Sequence, residues 1–121
     1  MLFRSLYLRF LRISQALNTE NKEFEKIDAS SKLLLNEIAV MHLDGKPLTV
    51  TDAMNLSVIA SPATIHRKID ELREAGLVEL IFEGKNRRTK YLVPTQAASA
   101  YFERMSKIMH KVSTAMVNAK S

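Results

Sequence analysis

The sequence predicts a mainly α-helical domain that carries one small β-hairpin. Three observations lead there. Glycine and proline are scarce, three of each in 121 residues, so few loops interrupt regular structure. Apolar residues recur at spacings of three and four in several separate stretches, the period of a helix with one buried face. One pair of strand-like runs stands out, Leu77–Phe82 and Thr89–Val93, with Gly84, Lys85 and Asn86 as the turn between them.

Each element follows from local residues. Residues 2–17 place Leu2, Phe3, Leu6, Phe10, Ile13 and Leu17 at helical spacing, and Tyr7, Leu8 and Leu11 widen the apolar surface beyond one stripe. Residues 18–29 read as a polar connection, with a short turn anchored by Phe24 and Ile27. A second helix is expected to start at Ser30 or Ser31 as cap and to run through Leu34, Leu35, Ile38, Met41 and His42. Asp44-Gly45-Lys46-Pro47 ends it, with Gly45 in the left-handed conformation. Leu48-Thr49-Val50 allows no more than an isolated strand. Thr49 with Asp52, or Thr51 alone, then starts a short helix. After the tight connection SVIA, Ser61 as cap and Pro62 at the first helical position give the strongest helix start in the chain. That helix turns Ile65, Ile69 and Leu72 inward and stops at Ala75-Gly76. Pro94 ends the second strand, and Thr95 caps a long last helix that carries Ala98, Tyr101 or Phe102, Met105, Ile108 or Met109, Val112 and Met116.

The totals exclude several classes of function. No cysteine is present, which removes disulfides and thiolate chemistry. His42, His66 and His110 are far apart with no i, i+4 pair, so no metal site is expected. No glycine-rich phosphate loop occurs, and Asp70, Glu71 and Glu74 are a helix-surface pattern able to pair with Arg67, Lys68 or Arg73. No enzyme and no cofactor are expected. Arg4, Arg9 and Arg12 interrupt the apolar N-terminus, so neither a membrane span nor a signal peptide is expected, and the protein is expected in the cytoplasm. The net charge of +5 favours a polyanionic partner.

Two helices joined by a short turn and followed at once by a basic hairpin make the winged helix-turn-helix plan. There the second helix presents its N-terminal residues to base edges in the major groove. With Ile65, Ile69 and Leu72 inward, the outward early residues are Pro62, Ala63, Thr64, His66, Arg67 and Lys68, after the cap Ser61. They are small, hydroxyl-bearing or cationic. Arginine pairs bidentately with guanine. The cations stand at the start of the helix, against the dipole preference, a placement that phosphates would favour. The hairpin adds Lys85, Asn86, Arg87 and Arg88 at its tip, with Lys90 behind, suited to phosphates and a narrow minor groove.

The segment from Leu48 to Phe102 resembles the DNA-binding lobe of the MarR (multiple antibiotic resistance regulator) family. The resemblance rests on Leu72, Arg73-Glu74-Ala75, Gly76-Leu77-Val78, Asn86-Arg87-Arg88 and Pro94-Thr95. It implies that Arg88, with Arg87 beside it, is the DNA-contacting wing arginine. It also implies that helices 2–17 and 96–118 form a dimer, packed through Phe3, Leu6, Phe10, Tyr101, Phe102, Met105, Met109 and Val112. Packing of the two ends into a monomer core is the alternative. Asn86 stands where the family usually has aspartate, the SVIAS turn is one residue longer than common, and the chain is shorter than most members.

The expectation is therefore a single winged-helix domain, 1–121, with a DNA-binding lobe at 48–94 and terminal dimerisation helices. Its expected function is sequence-specific regulation of transcription as a homodimer on double-stranded DNA. A small-molecule effector is compatible with the family, and no residue here indicates one. Two other readings stand beside it: a plasmid or phage winged-helix protein of replication or partition, and a winged helix used as a protein-interaction module.

Overall fold

The computed structural model describes residues 2–20, 24 and 26–120, apart from the side chains of 2–4, 17–20, 86, 116, 117, 119 and 120. The expected packing roles of Phe3 and Leu17 and the side chain of Asn86 therefore lie outside the described part. The elements are α1 (Leu2–Glu20), α2 (Ala29–Leu43), α3 (Val50–Met54), α4 (Pro62–Glu74), β1 (Val78–Glu83), β2 (Asn86–Pro94) and α5 (Gln96–Lys120). They divide into two compact units, Lys26–Ser99 and a terminal unit made of Met1–Glu25 with Ala100–Ser121.

The central unit buries Leu34, Leu35 and Ile38 of α2 against Ile65, Ile69 and Leu72 of α4, closed by Leu48, Ala53, Leu77, Leu92 and Val93. The isolated strand residue Leu48 pairs with Leu92, whose N–H donates to the Leu48 carbonyl at 2.7 Å. Helix ends follow their caps. Thr49 and Asp52 form a reciprocal capping box on α3. Ser61 caps α4, with Pro62 in its first turn. Helix α2 departs from expectation. Its cap is Asp28, whose carboxylate accepts the Ser31 N–H at 2.8 Å, and Ser30 and Ser31 already lie inside the first turn. Aspartate is as good a cap as serine, and here it stands one helical turn before a buried serine.

Gly76 has φ 75°, and the bonds around it close α4: the Gly76 N–H donates to the Arg73 carbonyl and the Leu77 N–H to the Leu72 carbonyl. This reversal sends the chain straight into β1. Thr95 ties the far end of the hairpin to the same point, its hydroxyl donating to the Gly76 carbonyl at 2.6 Å while it caps α5 by accepting the Ala98 N–H.

Strand β2 starts at Asn86, three residues earlier than expected, because a two-residue turn, Gly84-Lys85, suffices. Gly84 takes φ 58° at the first central position, where the hairpin turn needs a residue free to go left-handed. Arg87 and Arg88 therefore lie in the strand and not at the tip. Register shifts between Phe82, opposite Lys90, and Glu83, opposite Asn86, so residues 87–89 bulge from the ladder.

In the terminal unit, Phe24 is buried and stacks on Tyr101 at 3.7 Å between ring centroids, and Phe102 meets Tyr101 edge-on at 5.9 Å. Val112, expected on a dimer surface, is buried within its own unit. Tyr7, Leu8, Ile13 and Met109 are exposed. No described helix is long and apolar enough to cross a membrane.

Replacing Gly76 by Ala is expected to destabilise the fold by about 1–2 kcal/mol, the cost of a Cβ in the left-handed region. Space is not the obstacle, since an added Cβ meets nothing within 4 Å. Urea unfolding of the variant against wild type measures it.

Candidate nucleic-acid interface

Burial of Ile65, Ile69 and Leu72 fixes the rotation of α4 about its axis, and so decides which side chains it offers to solvent. Ser61, Pro62, Ala63, His66 and Arg67 are exposed, and Thr64 is half-buried with its hydroxyl accepting from Ser61 at 2.9 Å. Small residues lead and nitrogen-bearing ones follow, within two turns. His66 Nδ1 lies 3.6 Å from Asp70 and Arg67 Nε 3.8 Å from Glu71, both exposed i, i+4 pairs. Such pairs are worth only a few tenths of a kcal/mol, so either side chain is easily drawn away by a better partner.

Lys68 corrects the sequence reading. It was expected outward, yet it is buried, with Nζ 2.9 and 3.1 Å from the two carboxylate oxygens of Asp28. The reason is periodicity. Positions 65, 68, 69 and 72 are i, i+3, i+4 and i+7, one continuous stripe, and Lys68 falls inside it. A buried amine needs a counter-charge, and the cap of α2 supplies one. Lys68, together with the Ser31 N–H, holds the Asp28 carboxyl at about 2, below its ordinary 3.8. Asp28 thus caps α2 and anchors α4 at once. Aspartate is a capping residue type, so the cap is a local matter, whereas its pairing with Lys68 forty residues away is not.

The hairpin carries the second group of cations. Lys85, Arg87, Arg88 and Lys90 are all exposed. The Arg87 guanidinium carbon lies 5.5 Å and the Lys90 Nζ 5.4 Å from the centroid of the Phe82 ring. Phe82 was read from the sequence only as a strand residue. Both cationic groups, α4 and hairpin, belong to the same compact unit and are joined by the Gly76 reversal. Val58, in the turn before α4, is 99% exposed, an apolar side chain fully in solvent beside the candidate surface. Among the described residues, no three His, Asp or Glu side chains gather as a metal site.

No family model matches the sequence, and no curated protein matches it. Solved structures do match its fold. FabT of Streptococcus pneumoniae in complex with DNA aligns with 98% of this chain and 78% of its own length, at TM-score 0.57 and 16% identity. Staphylococcus aureus MepR in its DNA complex aligns over 93% and 83% of the two chains, at TM-score 0.61 and 17% identity. MarR aligns over 98% and 83%, at TM-score 0.53 and 15% identity. The chain thus has the winged-helix fold of the MarR-type proteins, shared across nearly its whole length at low identity.

The Asp28–Lys68 pair predicts an asymmetry. The Asp28 side chain is 60% exposed and the Lys68 side chain 8%. Asp28→Ala strands a buried amine and uncaps α2, with an expected cost of about 2–3 kcal/mol. Lys68→Met leaves a hydrated, still-capping carboxylate and costs less than about 1 kcal/mol. The double variant should be more stable than Asp28→Ala alone. Because the folded-state carboxyl titrates low, its contribution is complete above about pH 4 and is lost as pH falls towards 2. Denaturation curves of the three variants between pH 2 and 7 check both statements.

Proposed function

We propose that this chain is a sequence-specific DNA-binding regulator of transcription, acting in the cytoplasm as a homodimer. The observation that carries the proposal is the pairing, in one compact unit, of an α4 face that is small and nitrogen-bearing with a hairpin whose four cations are exposed. In this reading Ser61, Pro62, Ala63, Thr64, His66 and Arg67 meet base edges in the major groove. Lys85, Asn86, Arg87, Arg88 and Lys90 take the backbone and minor groove. Lys68 has no part in it, being spent on Asp28. Arg67 gives up a weak, exposed 3.8 Å contact with Glu71 for a bidentate base contact that discriminates against a wrong base by about 1–3 kcal/mol.

Two of the fold neighbours, FabT and MepR, were solved on DNA, and MepR is a transcription regulator of a multidrug efflux pump. That supports a duplex as partner here. Exposed Tyr7, Leu8, Ile13 and Met109, all on the terminal helices, support a second copy as the partner that covers them. In the dimer Leu6, Phe10, Phe102 and Met105, half-buried in one chain, would be covered further. No catalytic role and no effector is part of the proposal.

Affinity for duplex DNA is expected to fall about ten-fold or more between about 50 and 200 mM salt. Arg88→Ala should weaken binding to every sequence by about 1 kcal/mol or more per wing, whereas Arg67→Ala and Thr64→Ala should relax preference among sequences. Fluorescence-anisotropy titrations on a selected site and on a scrambled duplex separate the two effects. If neither class of variant alters affinity, the assignment of this face is wrong.

A further inference from the structure

We propose that Phe82 is a positioning residue of the wing, an uncharged clamp that sets two of its cations for phosphate without neutralising them. This rests on the DNA-binding reading above. The observations are three. Arg87 and Lys90 approach one ring at nearly the same distance, 5.5 and 5.4 Å. Lys90 sits directly across the ladder from Phe82, whereas Arg87 lies in the bulge that the register shift creates. Phe82 is half-buried while both cations are exposed, so the ring is the more closely packed partner of the three.

The chemistry of the partner matters. A carboxylate would hold an arginine equally well, but it would occupy the N–H donors and cancel the charge. An aromatic face attracts a cation through its quadrupole and accepts no conventional hydrogen bond from it. A guanidinium lying over a ring keeps its in-plane N–H groups free, and an ammonium keeps its outward ones. The residues that bulge from a ladder have lost cross-strand partners to hold them, and side chains as long as arginine lose much rotamer freedom on binding. A ring below them restricts that freedom beforehand. Phe82 therefore raises affinity by pre-organisation and leaves the number of phosphates neutralised unchanged.

The test uses the full chain with Phe82→Leu, Phe82→Trp and pentafluorophenylalanine at position 82, the last keeping the ring's shape while reversing its quadrupole. Duplex affinity is measured across a salt series, with Arg87→Ala for comparison. Loss of the quadrupole, by Phe82→Leu or by fluorination, is expected to weaken binding about three-fold or more with the salt slope unchanged, and Phe82→Trp is expected to retain wild-type affinity. Arg87→Ala is expected to lower the slope by about one. Wild-type affinity in the fluorinated protein overturns the clamp, as does tighter binding on its loss. Should Phe82→Leu unfold, the fluorinated and tryptophan proteins decide alone. A wild-type chain that binds no duplex at any salt sinks the DNA reading itself, and the clamp with it. Normal wild-type binding with indifferent variants sinks the clamp only.

Discussion

The rotational phase of α4 is the constraint on which the candidate surface depends. Three aliphatic side chains, Ile65, Ile69 and Leu72, are essentially removed from water, and each contributes on the order of 1.5–3 kcal/mol to holding the helix in one orientation. Lys68 sits in the same stripe and converts orientation into a lock, because its amine is satisfied by the Asp28 carboxylate. Turning the helix would expose the aliphatics and strand that amine. Ala63, His66 and Arg67 are outward as a consequence, and whatever they meet is chosen by the packing behind them.

The same logic links the helix to the hairpin. Gly76 closes α4 and reverses the chain; Thr95 returns from β2 and bonds to the Gly76 carbonyl. The two ends of the hairpin are therefore fastened at one point, opposite its Gly84-Lys85 turn. A two-residue turn keeps that projection short, and the bulge at 87–89 displaces two arginines from the regular ladder. Phe82 lies under two of the hairpin's cations, Arg87 and Lys90.

Much of this was legible in the sequence. The caps at Thr49 and Ser61, the stops at Gly45 and Gly76, the single hairpin and the inward trio of α4 follow from local rules that tertiary context did not override. The rest turns partly on local competition and partly on distant partners. Asp28, Ser30 and Ser31 are all capping residue types, and Asp28 takes the position. The charge of Lys68 argues for the outside and its position in the i, i+3, i+4, i+7 stripe for the inside; a carboxylate forty residues away makes it tolerable there. Strand onset depends on how short the turn is, and so Arg87 and Arg88 lie in the strand and not at the tip. The cation contacts on Phe82 depend on register, which single-sequence patterns set only to within a residue or two.

The proposed interface joins the first two turns of α4 and the hairpin of the Lys26–Ser99 unit against a DNA duplex. Amide chemical-shift mapping of the isotope-labelled chain during titration with a short duplex tests it most directly. Perturbations are expected to concentrate at 61–67 and 84–90, with Lys68, Asp28 and the acidic later turns of α4 little changed. Perturbations centred on α1 and α5, or on Asp70 and Glu74, would contradict it, as would a spectrum that the duplex leaves unchanged.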